Sequence, residues 1–210
     1  MNRALYNRSF KVRMLYYIVT TCVDACPIRK AQYMEGIGAL KAFAGAAEIL
    51  LVENNGPRAT YLDELGCRVL YTTNNKLPTA NKGLKELQDV LDCIAHFELK
   101  DEDFVVKMTG RYVLQDPAAF LEAAQSDRYD AVIRYGPYFQ PAAGDKMDDC
   151  VTGLVGMRCR YVKQIEKPKE KECVEWKWGK VTRLIPDEAV CKMRYLGIRI
   201  CPNSNSYFLV

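Results

Sequence analysis

The residues of this sequence that could bind a ligand stand just after short apolar runs or at the start of a helical pattern. Their hydroxyl, amide and carboxylate groups can hydrogen-bond a polar molecule, and their lysine and arginine side chains favour an anion. The first turn of a helix also favours an anion, through its free backbone N–H groups. The pattern therefore predicts a site for an anionic small molecule. The candidate binding residues are Thr20, Thr21, Arg29, Glu53, Asn54, Asn81, Lys82, Lys107, Gly110 and Arg111.

Parallel strands separated by helices would bring these residues to one edge of a sheet. Apolar or β-branched runs at 15–20, 48–52, 68–71, 104–108 and 130–135 predict five strands. Helices are predicted between them at 28–43, 60–65 and 78–97, and after an Asp116 N-cap. This alternation predicts an α/β fold, with a mostly parallel central sheet and helices on both faces. Ligands of such sheets bind beyond the carboxyl ends of the strands, where the candidate residues stand.

The last third of the sequence departs from this alternation. Residues 136–149 form a long loop rich in proline, glycine and aspartate, and residues 151–157 predict another strand. Val174, Trp178, Val181 and Ile185 are spaced like the apolar face of a final helix. Residues 191–200 are apolar enough for closing strands. We expect residues 1–210 to form a single domain.

Composition and missing motifs exclude several functional classes. The 210 residues are 49% apolar with a net charge of +4, which excludes a disordered chain and argues against nucleic-acid binding. The sequence has no P-loop, no Gly-x-Gly-x-x-Gly after the first strand and no Gly-x-Ser-x-Gly. Its nine cysteines include no Cys-x-x-Cys pair, so buried reduced thiols are expected rather than zinc. The longest apolar run is strand-sized, so we expect a cytoplasmic protein with no transmembrane segment.

One segment of the sequence resembles a known family. Lys107-Met-Thr-Gly-Arg-Tyr112 resembles the Lys-x-Thr-Gly-Arg-Tyr segment of a subset of GT-A glycosyltransferases, found in bacterial polysaccharide clusters and large DNA viruses. Residues 151–158 and the pair Glu175-Trp176 resemble the acceptor-side strand and helix of that subset, so the resemblance spans residues 14–200. It implies a GT-A fold in which residues 14–135 bind a nucleotide-sugar and residues 136–210 form the acceptor-side half. The implied activity moves a sugar from a UDP- or GDP-sugar to a glycan or another hydroxyl acceptor.

The resemblance also implies roles for the candidate residues. A nucleotide-sugar presents a base, a ribose and a diphosphate, each of which needs different partners. Gly110 would let the backbone approach the ligand closely, because it has no side chain. The residues implied for the base and ribose are Thr20, Thr21 and Glu53, and those implied for the diphosphate are Arg29, Lys82, Lys107 and Arg111.

The sequence departs from the family at the metal site. Most GT-A enzymes carry Asp-x-Asp after the fourth strand to hold a divalent metal, whereas this chain has Lys107-Met-Thr-Gly-Arg111. A fixed cation could replace the metal as the clamp on the leaving diphosphate. We therefore assign no metal ligand, and Mn²⁺ or Mg²⁺ would need a carboxylate from the 136–149 loop.

The acceptor side should supply a general base if the transfer inverts the sugar. A carboxylate within reach of the acceptor hydroxyl would take its proton during the attack. Glu175 is the first candidate, because the neighbouring Trp176 ring could shield the carboxylate from water. Asp149 is the second candidate.

Two other functions stay open. A nucleotidyltransferase of the same fold needs a glycine-rich loop after the first strand, where this chain has Thr-Cys-Val-Asp-Ala-Cys-Pro. A non-catalytic nucleotide-sugar-binding module would keep the cleft but would not turn over a donor. Product analysis with a labelled donor separates these functions from glycosyl transfer.

Overall fold

The computed structural model describes residues 13–138, 140–200 and 208–210, so Cys201 lies outside the described residues. The strands are β1 (Leu15–Thr21), β2 (Glu48–Glu53), β3 (Arg68–Tyr71), β4 (Phe104–Thr109), β5 (Val113–Leu114), β6 (Ala131–Ile133), β7 (Leu154–Arg158), β8 (Val190–Lys192), β9 (Ile198–Ile200) and β10 (Phe208–Leu209). The α-helices are α1 (Pro27–Phe43), α2 (Lys82–His96), α3 (Ala118–Gln125), α4 (Cys159–Val162) and α5 (Val174–Val181). Short 3₁₀ helices cover Tyr61–Leu65, Asn74–Lys76, Thr182–Leu184 and Asp187–Ala189.

The central sheet has seven strands in the order β3-β2-β1-β4-β7-β6-β8. The first four strands of the chain run parallel, and β7 is antiparallel to both of its neighbours, β4 and β6. Thr20 pairs with Val52 of β2 and with Thr109 of β4, so these three strands end at the same level. The mostly parallel sheet is as predicted, and it gathers the candidate residues at one edge.

Helices cover both faces of this sheet because its central strands are apolar on both sides. On one face, α1 and α3 pack against the sheet, with Leu40 of α1 in the same cluster as Val106. On the other face, Leu87 of α2 and Trp178 of α5 share a cluster with Val105. Residues 105 and 106 point to opposite faces because side chains alternate along a strand. The predicted α/β architecture is confirmed.

The remaining strands form a small antiparallel sheet in the order β10-β9-β5. The predicted closing segment, 191–200, is therefore divided, with β8 in the central sheet and β9 in the small one. The chain turns between them at Gly197, whose φ is 70°, and a Cβ there would lie 1.8 Å from the carbonyl oxygen of Asp116. Asp116 does not cap α3 as predicted, because Pro117 occupies the N-cap position.

The described part of the chain also bears on the membrane expectation. None of its helices combines the length and the apolar character that crossing a membrane requires.

Candidate active site

A cleft with a volume of about 760 Å³ opens at the carboxyl ends of β1, β2 and β4, beside the start of α2. Residues 170–175 form one of its walls. The predicted residues that line the cleft are Thr20, Thr21, Arg29, Asn54, Asn81, Lys82, Arg111 and Glu175. The other four candidates lie outside this lining and are Glu53, Lys107, Gly110 and Asp149.

The start of α2 is fixed by the segment that precedes α5. Asn81 caps the helix by accepting a backbone N–H of the first turn at 3.1 Å, and its Nδ2 donates to the carbonyl of Lys169 at 2.7 Å. The Glu170 carboxylate accepts the backbone N–H of Ala80 at 2.7 Å. Asn81 therefore positions the helix start, and the exposed Lys82 follows it as the first residue of α2.

At the β2 and β3 end of the cleft, a buried carboxylate is surrounded by uncharged donors. Asp89 of α2 accepts hydrogen bonds from Asn54 Nδ2 at 2.7 Å, Asn74 Nδ2 at 2.8 Å and Thr72 Oγ1 at 3.0 Å. Burial raises the pKa of Asp89 to about 7, although these hydrogen bonds act in the opposite direction. Asn54 Oδ1 is buried and accepts no hydrogen bond from the described residues. This cluster was not predicted from the sequence.

Lys107 lies beneath the floor of the cleft, with only 1% of its surface exposed. Its ammonium donates to the carbonyl of Thr152 at 2.7 Å and to Thr109 Oγ1 at 3.0 Å, and it pairs with Glu86 Oε1 at 2.8 Å. The expectation that Lys107 contacts a diphosphate is therefore corrected. Because β4 is a central strand, its side chains at this position enter the protein interior instead of leaving the sheet edge.

Glu86 lines the cleft and pairs with the buried ammonium of Lys107. Its Oε1 also accepts from Thr20 Oγ1 at 2.7 Å and from Thr109 Oγ1 at 3.0 Å. Burial favours the neutral carboxyl, but the charge of Lys107 and these hydrogen bonds outweigh it, so the pKa of Glu86 lies below its ordinary value. Its side chain is 26% exposed and lines the cleft. An ionised carboxylate therefore stands in the cleft between β1 and β4.

Glu53 is fully buried and organises loops instead of facing a ligand. Its Oε2 accepts from Thr21 Oγ1 and from the backbone N–H of Val23, both at 2.8 Å. Its Oε1 accepts from the backbone N–H of Asn55 at 3.0 Å and from Arg58 at 3.3 Å. The implied contact with a base or ribose is corrected, because these partners occupy both oxygens and join the loops that follow β1 and β2.

Gly110 is required for packing within the protein. A Cβ at this position would lie 3.0 Å from the carbonyl oxygen of Thr20 and 3.0 Å from Cδ1 of Tyr33. The missing side chain of Gly110 therefore allows close packing against β1 and α1. The tight turn places Arg111, the next residue, on the lining of the cleft.

Glu175 lies in the first turn of α5 and lines the cleft. Its Oε1 accepts from Thr152 Oγ1 at 3.4 Å. Trp176 does not enclose it as expected, because 51% of the Trp176 surface is exposed. The aromatic residues of the cleft include Tyr112 and Tyr138; burial raises the pKa of both, and the charges of Glu86 and Glu175 raise it further.

The second predicted base and the metal question both concern the 136–149 loop. Asp149 lies outside the cleft lining, and its backbone carbonyl accepts the N–H of Gly136 at 2.9 Å. Within the described ranges, no three His, Cys, Asp or Glu side chains group closely enough to hold a metal ion. The strand-end position that would carry such ligands holds Thr109 and Arg111, and the nearby Glu86 is paired with Lys107. The residues present therefore do not fit a divalent metal there.

Sequence reasoning missed the two acidic residues of α2, Glu86 and Asp89. Lys82, Glu86 and Asp89 are separated by four and three residues, so they share one helix face. That polar stripe beside the apolar stripe was the available signal. From the sequence alone, such a polar stripe is expected to face solvent, because the sequence does not show that a sheet edge packs against it. Tyr112, Tyr138 and Thr152 also line the cleft and were not among the candidate residues, although Tyr112 ends the Lys-x-Thr-Gly-Arg-Tyr segment.

Comparison with known proteins gives a fold but no relative by sequence. No protein-family model and no curated protein matches the chain. The mannosyltransferase PcManGT from Pyrobaculum calidifontis, solved with GDP-Man and Mn²⁺, is similar with a TM-score of 0.55 and 11% identity over 88% of this chain. TarS residues 1–349 from S. aureus give a TM-score of 0.53 and 12% identity over 86% of this chain. The chain spans 58% of the length of each of these structures.

These similarities agree with the element order derived from the sequence. At such low identity they establish architecture and not activity. The seven-stranded, mostly parallel sheet with helices on both faces matches the fold of these two structures. The chain therefore has the GT-A type of α/β fold that glycosyltransferases use.

Proposed function

We propose that this chain is a glycosyltransferase that uses a nucleotide-diphosphosugar donor. The observation that carries the proposal is the composition of the cleft. It combines cations suited to a diphosphate with a carboxylate suited to an acceptor hydroxyl, at the strand ends where this fold binds ligands. In support, the similar mannosyltransferase structure holds GDP-Man.

The donor is a UDP- or GDP-sugar that lies along the strand ends. Its base occupies the end of the cleft near Asn54, whose buried Oδ1 lacks a donor among the described residues. Its diphosphate lies near Lys82 at the start of α2 and near Arg111 after β4. Arg29 pairs with Asp24 at 3.0 Å, and both side chains are about two-fifths exposed, so Arg29 can exchange that partner for phosphate.

The transfer itself is an in-line displacement with Glu175 as the general base. The oxygen of an acceptor hydroxyl attacks the anomeric carbon while its proton passes to the Glu175 carboxylate. The bond from the anomeric carbon to the diphosphate breaks, and the nucleoside diphosphate leaves with that electron pair. In place of a metal ion, Lys82 and Arg111 stabilise the negative charge that develops on the leaving diphosphate. The acceptor is a glycan or another molecule with a hydroxyl group.

A thermal-shift panel of UDP-, GDP-, CMP- and dTDP-sugars tests donor binding. A donor that binds the native state raises the melting temperature by mass action, and a UDP- or GDP-sugar should give the largest rise. Turnover of the same donor with a radiolabelled sugar then tests catalysis. No rise with any nucleotide-sugar would contradict the proposal.

The contact with the diphosphate is tested by Arg111→Ala. Loss of a charge-assisted contact should weaken donor binding by roughly 2–5 kcal/mol in calorimetry. Arg194→Ala is the matched control, because Arg194 is exposed and does not line the cleft. Equal donor affinity in the two variants would remove Arg111 from the site.

The same assays separate the alternative functions. A nucleotidyltransferase would release pyrophosphate from a nucleoside triphosphate and a sugar phosphate. A binding module would give the thermal shift with no product. The sequence after β1 favours glycosyl transfer over nucleotidyl transfer, because residues 21–27 contain no glycine.

A further inference from the structure

The buried ammonium of Lys107 has no hydrogen-bonding capacity left for a substrate. An ammonium has three donors, and Lys107 uses them on Glu86 Oε1, Thr109 Oγ1 and the carbonyl of Thr152. Its effect on a ligand must therefore pass through Glu86, its only charged partner among the described residues.

Glu86 has one oxygen committed to the protein and one available. Each hydrogen bond and ion pair that the described residues make with its carboxylate falls on Oε1. The side chain nevertheless lines the cleft and is about one quarter exposed. Oε2 is therefore the atom through which Glu86 can meet a ligand. Because the pair with Lys107 keeps the carboxyl ionised, this atom accepts hydrogen bonds and repels anions.

Glu86 is connected to the Glu175 end of the cleft. Lys107 links it to Thr152, whose hydroxyl in turn donates to Glu175. Tyr112 and Tyr138 both experience the charges of Glu86 and Glu175, so the two carboxylates flank the same region. In an in-line transfer, the sugar lies between the general base and the diphosphate. With Glu175 as the base and Arg111 at the diphosphate, the transferred sugar would bind between these two residues.

We infer that Glu86 is a specificity-determining residue that holds hydroxyl groups of the transferred sugar through Oε2, so that the donor carries a neutral sugar and not a uronic acid. The inference rests on the proposed function. A sugar hydroxyl can donate a hydrogen bond to Oε2 while the ion pair of Glu86 and Lys107 stays intact. A sugar carboxylate at the same place would face an ionised oxygen of like charge, and the ammonium of Lys107, which is paired with Glu86, has no donor left for it.

Binding of three matched probes to the wild-type chain and to Glu86→Gln tests the inference. The probes are UDP, UDP-glucose and UDP-glucuronate, with GDP and GDP-mannose as the guanosine pair. Wild type should bind the neutral sugar nucleotide about tenfold or more tightly than the uronate, since like charges repel. Glu86→Gln should reduce that preference to about threefold or less and leave the affinity for the nucleoside diphosphate within about twofold.

Two further variants keep the test decisive. Glu64→Gln removes a charge from an exposed residue outside the cleft lining, so it should preserve the wild-type preference. If Glu86→Gln unfolds because Lys107 loses its counter-charge, the double variant Glu86→Gln/Lys107→Met removes both charges together. The double variant should show the same reduced preference.

The outcomes distinguish the inference from the proposed function. If wild type binds none of the probes, both are wrong. If the probes bind and Glu86→Gln keeps the wild-type preference, only the role of Glu86 is wrong. If Glu86→Gln weakens UDP and UDP-glucose equally, Glu86 contacts the nucleotide and the inference is overturned as well.

Discussion

Asp89→Asn should change how the stability of this protein depends on pH. The buried carboxyl has a pKa of about 7 in the folded chain, against an ordinary value of 3.8. The folded state therefore binds this proton more tightly than the unfolded state does. The resulting stabilisation is fully present below the ordinary pKa and is lost as the pH rises through about 7.

The size of the effect follows from those two pKa values. At about 1.4 kcal/mol for each pKa unit, the wild-type chain should lose on the order of 2–3 kcal/mol of this stabilisation between about pH 5 and pH 8. Asparagine has the same shape and does not titrate. Its oxygen can accept from Thr72 and Asn74, and its amide can donate to Asn54 Oδ1 if the Asn54 side chain turns over.

Urea unfolding of both proteins at a series of pH values measures the difference. The free energy of unfolding of Asp89→Asn, relative to wild type, should rise by on the order of 2–3 kcal/mol from about pH 5 to pH 8. Asp92→Asn is the control, because Asp92 lies on the same helix and also accepts from Asn74, at 2.7 Å. A stability difference for Asp89→Asn that stays level over this range would refute the reasoning.

Three other predictions concern catalysis, metal and thiols. Glu175→Gln should keep donor affinity and lower the turnover number by about a hundredfold or more, the scale for losing a general base; near-normal turnover would favour Asp149 or a retaining reaction. Activity should persist in EDTA, since the cleft residues do not fit a divalent metal; complete loss that Mn²⁺ restores would show the cation clamp to be wrong. Thiol titration in denaturant should count close to all nine cysteines, because the eight in the described residues are free; several disulfides in freshly purified protein would contradict this.

The first half of the fold could be predicted because its signals are local. Runs such as 15–20 and 104–108 are largely apolar on both faces, which is typical of a strand buried between two helical layers. The last third was predicted less well for the same reason. Residues 191–200 read as one closing segment, and only the position of Gly197 against Asp116 shows that the chain changes sheets there.

The sequence predicted which edge of the sheet carries the cleft, but not the contacts of individual side chains. The ends of the predicted strands indicate which residues lie near the cleft, and Thr20, Asn54 and Arg111 do line it. The direction of a side chain at the edge depends on its partners. Glu53 and Lys107 were assigned to the ligand because no local pattern shows that each is saturated by residues distant in sequence.

The buried pair of Lys107 and Glu86 constrains how this sequence can vary. Removing Glu86 alone leaves an ammonium in the interior without a counter-charge, a loss of about 3–5 kcal/mol for a buried pair. That loss is a large share of the roughly 5–15 kcal/mol by which a folded domain is stable. The two positions should therefore change together along a lineage, through an apolar or uncharged residue at both. A chain that keeps the lysine and lacks the acid should carry another carboxylate that reaches the same ammonium.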